Sequence, residues 1–205
     1  SPEMQQDRIS RPCTLRPVRR SQLTPERVPT MLAGVNFRNR TVLGSIAFVV
    51  VAAQIAGAAP EWRYERTAVD AGQVWRLLTG NLVHLGWPHL ALNLAGMLLV
   101  ALLFAERFRA ATLLLALVVT GAGVGVGLHF LSPAVHWYVG LSGVLHGLFA
   151  AGAVLQLERV RERLPAALLL AGLALKLIGE RYLDVTVGAA VTGNAPVVAD
   201  AHLYG

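Results

Sequence analysis

A few polar side chains stand out in stretches of this chain that carry no charge: His84, His89, Asn93, Ser142, His146 and, near the end, His202. Polar groups in apolar helices are expensive, which makes each of them a candidate for chemistry. Ser142 lies in Gly140-Leu141-Ser142-Gly143, at the entrance to an apolar run. Gly140 and Gly143 permit close backbone approach, and a helix N-terminus offers free N–H groups and a positive dipole end to a developing oxyanion. That setting suits a serine nucleophile. With Gly147 four residues beyond Gly143, the same glycines equally suit tight helix packing. His89 and Asn93 are one helical turn apart and can donate to one oxyanion; each can equally be an interhelical hydrogen bond worth about 1 kcal/mol. His84 precedes that helix and reads as a brace for an outer loop, while His129 and His136 flank a later connection. The alternating glycines from Gly121 to Gly127 lie inside an apolar run with no strand before them. They read as a packing surface rather than a nucleotide loop.

The elements that must hold these residues follow from the charge distribution. Only 15% of the 205 residues are charged, against about 25% in soluble domains. No Asp, Glu, Lys or Arg occurs over 41–60, 77–105 or 110–157. A soluble helix needs a polar outer face, so an uncharged run of that length excludes an ordinary cytosolic enzyme. It also makes nucleic acid an unsuitable partner for the net charge of +6. The one cysteine, Cys13, provides neither a disulfide framework nor a cysteine metal site.

A membrane helix needs about 20 apolar residues, and the sequence predicts spans over 41–59, 89–105, 111–131, 140–157 and 164–179. A sixth starts near Ala201, and only one turn of it falls before Gly205; this reading takes it as an incomplete span. Residues 185–199 read as a surface loop because of Gly188, Gly193, Asn194 and Pro196. Residues 1–40, with five prolines and eight arginines, read as a disordered basic tail; Ser1 fits a processed or trimmed start and Met31 an internal one. A rival reading makes 41–59 a signal peptide, since Ala56-Gly57-Ala58 resembles a cleavage site; its length and the spans after it weigh against that.

With the tail cytoplasmic, the inner side collects 13 of the 18 basic residues, as the positive-inside rule requires. Trp62, Trp75, Trp87 and Trp137 then fall in outer connections, where an interfacial belt belongs. The chemically interesting residues cluster toward the outer ends of several spans.

These residues together resemble a family. Trp75-Arg76, Thr79, His84-x4-His89-x3-Asn93, Gly140-x-Ser142-Gly143 and Ala201-His202-x-x-Gly205 occur in the order, spacing and spans of the rhomboid intramembrane serine proteases. The resemblance covers 41–205. It implies an all-α membrane protein with a bundle of six transmembrane helices, no cofactor and no metal. Ser142 would be the nucleophile and His202 the general base, with packing in place of a third triad member. His89, Asn93 and the Ser142 backbone N–H would hold the oxyanion. Trp75 and Arg76 would belong to a structural outer loop lying partly in the membrane, and 177–200 to a flap over the site. The partners implied are transmembrane protein substrates in the lipid bilayer of the bacterial inner membrane, with the site opening to the periplasm. Gly140-Leu141-Ser142-Gly143-Val144-Leu145-His146-Gly147 on a minimal core is most similar to the rhombosortases, which process proteins carrying C-terminal Gly-Gly membrane anchors.

One departure concerns His146, which stands where many rhomboids have an aromatic residue stacking on the catalytic histidine. It can stack likewise, share a proton with His202, or serve as the base. The rival from the binding class is an inactive rhomboid-like protein that holds transmembrane clients. A metallopeptidase is set aside because His-Glu-x-x-His is missing and no Asp or Glu is expected in the spans near the cluster. A transporter is set aside because the polar groups lie toward one face rather than the midplane.

Overall fold

The computed structural model describes residues 37–104, 106–183 and 198–205, all within one compact unit, Met31–Gly205. Residues 185–197 of the expected surface loop and most of the expected basic tail therefore lie outside the described residues, while Ala199, the loop's expected last residue, opens a helix.

The uncharged runs become helices because a chain in lipid must satisfy its backbone polar groups internally. The first long helix, α1 (Phe37–Ile55), begins four residues before the expected 41. Its first turn contains Arg38 and Arg40, but the intervening Asn39 is buried and donates to the Phe108 carbonyl at 2.8 Å. The polar turn is thereby anchored on a neighbouring loop. A long connection follows, built from the short α2 (Ala59–Trp62), β1 (Tyr64–Glu65), α3 (Arg66–Asp70) and α4 (Arg76–Thr79), closed by a 3-10 turn over Gly80–Leu82. Then come α5 (Trp87–Phe104), α6 (Ala110–Leu131), β2 (Trp137–Tyr138), α7 (Ser142–Gln156), α8 (Arg163–Tyr182) and α9 (Ala199–Tyr204).

Two elements depart from a purely helical expectation. The strands β1 and β2 form a two-residue antiparallel ladder pairing Tyr64 with Tyr138 and Glu65 with Trp137. The expected last span begins two residues earlier than Ala201, as α9. The helix α8 also runs past the expected stop at Gly179 to Tyr182, so its first seven expected flap residues, 177–183, are helix and helix end instead.

Helices α5 and α6 are long and apolar enough to cross a membrane. Phe48 on α1, Leu115 and Val119 on α6, and Leu168 and Leu175 on α8 are all exposed. A water-soluble surface would not present apolar side chains at this density. At the centre stands α7, packed against α5, α6, α8 and α9. One core cluster joins Leu43, Met97, Phe104, Leu117, Leu145 and Leu148, with Phe104 and Phe149 edge to face at 5.1 Å. A second joins Tyr64, Val124, Leu128, Tyr138 and Ala201 beside the α1–α5 connection.

The α1–α5 connection is fixed by buried polar groups. Arg76 is buried and its Nη1 donates to the carbonyls of Pro60 and Arg63, both at 3.0 Å. Thr79 Oγ1 donates to the Trp62 carbonyl at 2.7 Å, and Asn81 Nδ2 to the Gly121 carbonyl at 3.2 Å. A Cβ on Gly125 would run into the Leu77 backbone. The glycine run of α6 thus seats α4, as the packing reading expects.

Candidate active site

Ser142 is the first residue of α7, two residues later than the expected start of that span. The preceding segment is extended and turns at Gly140, whose φ of +124° is accessible to glycine and strained for other residues. Gly140 N–H donates to the Gly80 carbonyl at 3.0 Å, and the Tyr138 hydroxyl donates to the Gly140 carbonyl at 2.6 Å. Burial pushes Tyr138 up to about 12, so it stays a donor. The turn is held on both sides, and the N-terminal N–H groups of α7 face the space above it.

His202 enters from α9. Its Nε2 lies 2.9 Å from Ser142 Oγ, although the two residues are 60 positions apart. Close approach of α9 to α7 makes this reach feasible: a Cβ on Gly143 would collide with the Ala201 carbonyl oxygen and with Val124. The short α9 is pinned at its flank. Ser132 Oγ donates to Asp200 Oδ2 at 2.5 Å and lies 2.8 Å from the Tyr204 hydroxyl, while Arg181 approaches Asp200 at 3.7 Å.

The other ring nitrogen, Nδ1, lies 2.7 Å from Glu180 Oε2. A carboxylate oxygen accepts, so Nδ1 carries the proton and Nε2 presents its lone pair to the serine hydroxyl. Glu180 Oε1 in turn accepts from Lys176 Nζ at 2.6 Å. Glu180 is a correction to the sequence reading, which expected no acidic residue near the cluster. The expected fifth span stops at Gly179, one residue short of Glu180, whereas α8 continues to Tyr182 and turns Glu180 inward, where only 4% of it is exposed. The one sequence signal was local: Lys176 and Glu180 are i and i+4 on one helix face.

His146, one turn below Ser142, stacks on His202 with centroids 4.2 Å apart and planes 15° from parallel. Its Nδ1–H donates to the Ser142 carbonyl at 2.7 Å. Of the three arrangements left open for His146, this geometry is the stacked one. His146, Glu180 and His202 offer ligand atoms within 4.8 Å of one another. His146 Nδ1, both nitrogens of His202 and both oxygens of Glu180 are already engaged in hydrogen bonds in this arrangement.

Opposite the serine, α5 brings His89 and Asn93. A Cβ on Gly140 would lie 2.8 and 2.9 Å from His89 Cε1 and Nε2, and 4.0 Å from Asn93 Nδ2. Leu85 N–H faces His89 Nδ1 at 3.5 Å, which leaves the ring proton on Nε2, toward the Gly140–Ser142 turn. Asn93 Nδ2 donates to the His89 carbonyl at 3.0 Å, using one of its two N–H bonds. His84 is buried edge-on against His89 at 5.1 Å. Burial first, and then the facing His89, hold it down to about 3. Neither of its ring nitrogens has a hydrogen-bond partner among the described residues, so any bracing it provides is by packing. His129 is not part of this constellation; it meets Tyr64 and Asp70 instead.

A cavity of about 710 Å³ opens between α5 and α8 onto this cluster. Ser142, His202, His146, His89 and Asn93 all line it, and Leu92, Leu99, Phe149 and Leu168 make the rest largely apolar. Such a space admits an apolar peptide segment, with polar groups only where a carbonyl is to be attacked. A hydroxyl facing an imidazole lone pair, beside convergent N–H donors, is equipped for acyl transfer.

Residues 71–205 match the family described as the Rhomboid domain. No curated protein and no solved structure matches the chain. The match spans about two thirds of the sequence and includes every residue of the cluster. This all-α membrane protein belongs to the rhomboid family of intramembrane serine proteases, a family that also has inactive members.

Proposed function

We propose that this chain is an active intramembrane serine endopeptidase of the rhombosortase kind, cutting C-terminal Gly-Gly-type anchors of exported proteins near their periplasmic end. The observation that carries the reading is the 2.9 Å contact between Ser142 Oγ and His202 Nε2. As Oγ attacks the scissile carbonyl carbon, its proton passes to His202 Nε2. The carbonyl oxygen, now an oxyanion, takes hydrogen bonds from His89 Nε2–H, Asn93 Nδ2–H and the Ser142 N–H. His202 then gives its proton to the departing amine, and water hydrolyses the acyl-enzyme by the same steps in reverse order. The rhombosortase assignment rests on the Gly140–Gly147 motif and the minimal core. With α9 as the start of a sixth span, the arginine distribution supports a cytoplasmic tail at the inner membrane and a cavity whose polar end opens to the periplasm.

The helix α7 has 15 residues, about 22 Å at 1.5 Å per residue, against a hydrocarbon core of about 30 Å. A nucleophile at its first residue is therefore recessed below the outer surface. A helical substrate hides its carbonyls in its own hydrogen bonds, so small, helix-breaking residues near its outer end should favour attack. The test is to incubate the purified full-length protein with a Gly-Gly-anchored reporter and map the cut by mass spectrometry. A cut at the outer end of the anchor is expected, slowed when the glycines are replaced by leucine. Retention of the reporter without any cut would favour the inactive, client-holding reading.

The close approach of α9 yields a second expectation. Gly143→Ala should push Ala201 away and lengthen the His202–Ser142 contact. A misplacement of about 1 Å lowers rate by about 10²-fold, while overpacking of this kind destabilises by about 1–3 kcal/mol. Cleavage kinetics and a thermal melt in detergent would separate the two effects. An undiminished rate would mean that α9 is not held by this contact.

A further inference from the structure

We infer that Glu180, clamped by Lys176, is the positioning residue that fixes the orientation and tautomer of His202, making the relay Ser142–His202–Glu180. The inference rests on the proposed peptidase reading and deepens it.

Stacking on His146 settles the plane of the His202 ring but not which nitrogen faces the serine, nor which of the two carries the proton. A base must present a lone pair to Oγ. Only a hydrogen-bond acceptor at the opposite nitrogen selects that state, and Glu180 Oε2 at 2.7 Å is that acceptor. Burying a carboxylate is costly unless it is paired. Both oxygens of Glu180 are paired, Oε1 with Lys176 and Oε2 with His202. Lys176 lines the cavity from the turn of α8 before Glu180 and holds the carboxylate ionised and facing α9. When Ser142 gives up its proton, His202 becomes an imidazolium lying between a new oxyanion and this carboxylate. The proton stays on Nε2 until it goes to the leaving amine; Glu180 accepts none. The carboxylate stabilises the charge that appears on the ring.

Lys176 also makes the role testable by an isosteric change. In Glu180→Gln, Lys176 donates to the atom it faces, which must then be the amide oxygen. The amide NH2 is left toward His202 Nδ1, forcing Nδ1 to accept and placing the ring proton on Nε2, against the serine. A wrong tautomer of this type lowers kcat by up to about 10⁴-fold. We therefore expect Glu180→Gln to lose about 10²–10⁴-fold in kcat with KM within about threefold, and with its melting temperature near that of the parent. Adding Lys176→Met frees the amide to turn its oxygen toward Nδ1. The Lys176→Met/Glu180→Gln pair should then recover at least part of the loss relative to Glu180→Gln alone, an effect that lost packing cannot produce. Ser142→Ala runs alongside as the control for the reaction itself. A Glu180→Gln protein with kcat within threefold of the parent, while Ser142→Ala is inactive, overturns the role of Glu180 and leaves the peptidase reading standing. A pair no faster than Glu180→Gln overturns the tautomer account. Cleavage that survives Ser142→Ala overturns the peptidase reading itself.

Discussion

Ser142→Ala is expected to lower cleavage by about 10⁶-fold, the scale on which removing a serine nucleophile acts in a protease whose parts work as a unit. The fold should survive. The substitution removes one hydroxyl at the first position of α7, leaving the φ of Gly140, the Tyr138 bond to its carbonyl and the contact of α9 on Gly143 untouched. What is lost is the hydrogen bond to His202, worth about 1 kcal/mol, and a melting temperature within a few degrees of the parent should result. A fluorophosphonate, which phosphonylates an activated serine, should label the parent and not the variant. Parent-like cleavage by Ser142→Ala would end the serine-protease reading, whatever the position of His202.

The parts of this molecule that could be read from its sequence are those governed by lipid. Helices α5 and α6 start and stop within two residues of the expected spans, because a segment with unpaired backbone or charge is not tolerated in hydrocarbon. Both ends of α5 are marked, by Trp87-Pro88 opening its first turn and by Glu106-Arg107 after it. Where charge is compensated inside the protein, that logic fails. Asn39, bonded to Phe108, draws α1 into the expected tail, and Glu180, bonded to His202, draws α8 into the expected flap. In both places a polar residue signals water by its type, and its partner, remote in sequence, reverses the meaning. Glu180 meets a histidine 22 residues away, and the Tyr64–Tyr138 ladder joins residues with four α-helices between them. Short strands of two residues have no periodicity to read.

The candidate site was legible for a different reason. Ser142, His89 and Asn93 are fixed by local backbone geometry: a helix start after a glycine turn, and two positions one turn apart on α5. Their types and spacings are therefore meaningful without a tertiary structure. His202 carried only its place at the start of a last helix and its match to a family motif. The third partner of His202 was hidden, since nothing in the 198–205 segment points to α8.

Two histidines stand close to the serine, and their substitution should separate them sharply. His202→Ala is expected to reduce turnover to near the level of Ser142→Ala, about 10⁵–10⁶-fold below the parent, because nucleophile and base fail together. His146→Phe, in contrast, should keep activity within about tenfold. The distinction comes from which part of each ring meets its neighbours. His202 directs an in-plane nitrogen at Ser142 Oγ, 2.9 Å away. His146 directs its Nδ1–H at the Ser142 carbonyl, one turn back along its own helix, and presents a ring face to His202 at 4.2 Å. A face can restrain a base but cannot take a proton. Phenylalanine keeps that face and loses only the bond to the carbonyl, whose cost is about 1 kcal/mol, or less than tenfold if it fell entirely on the transition state. His146→Ala removes the face as well, so it should be slower than His146→Phe, with the difference appearing in kcat rather than KM. Steady-state cleavage of one reporter by the three variants decides the matter. If His146→Phe is inactive while His202→Ala still turns over, the base is His146, and the hydrogen bond between His202 and Ser142 is structural.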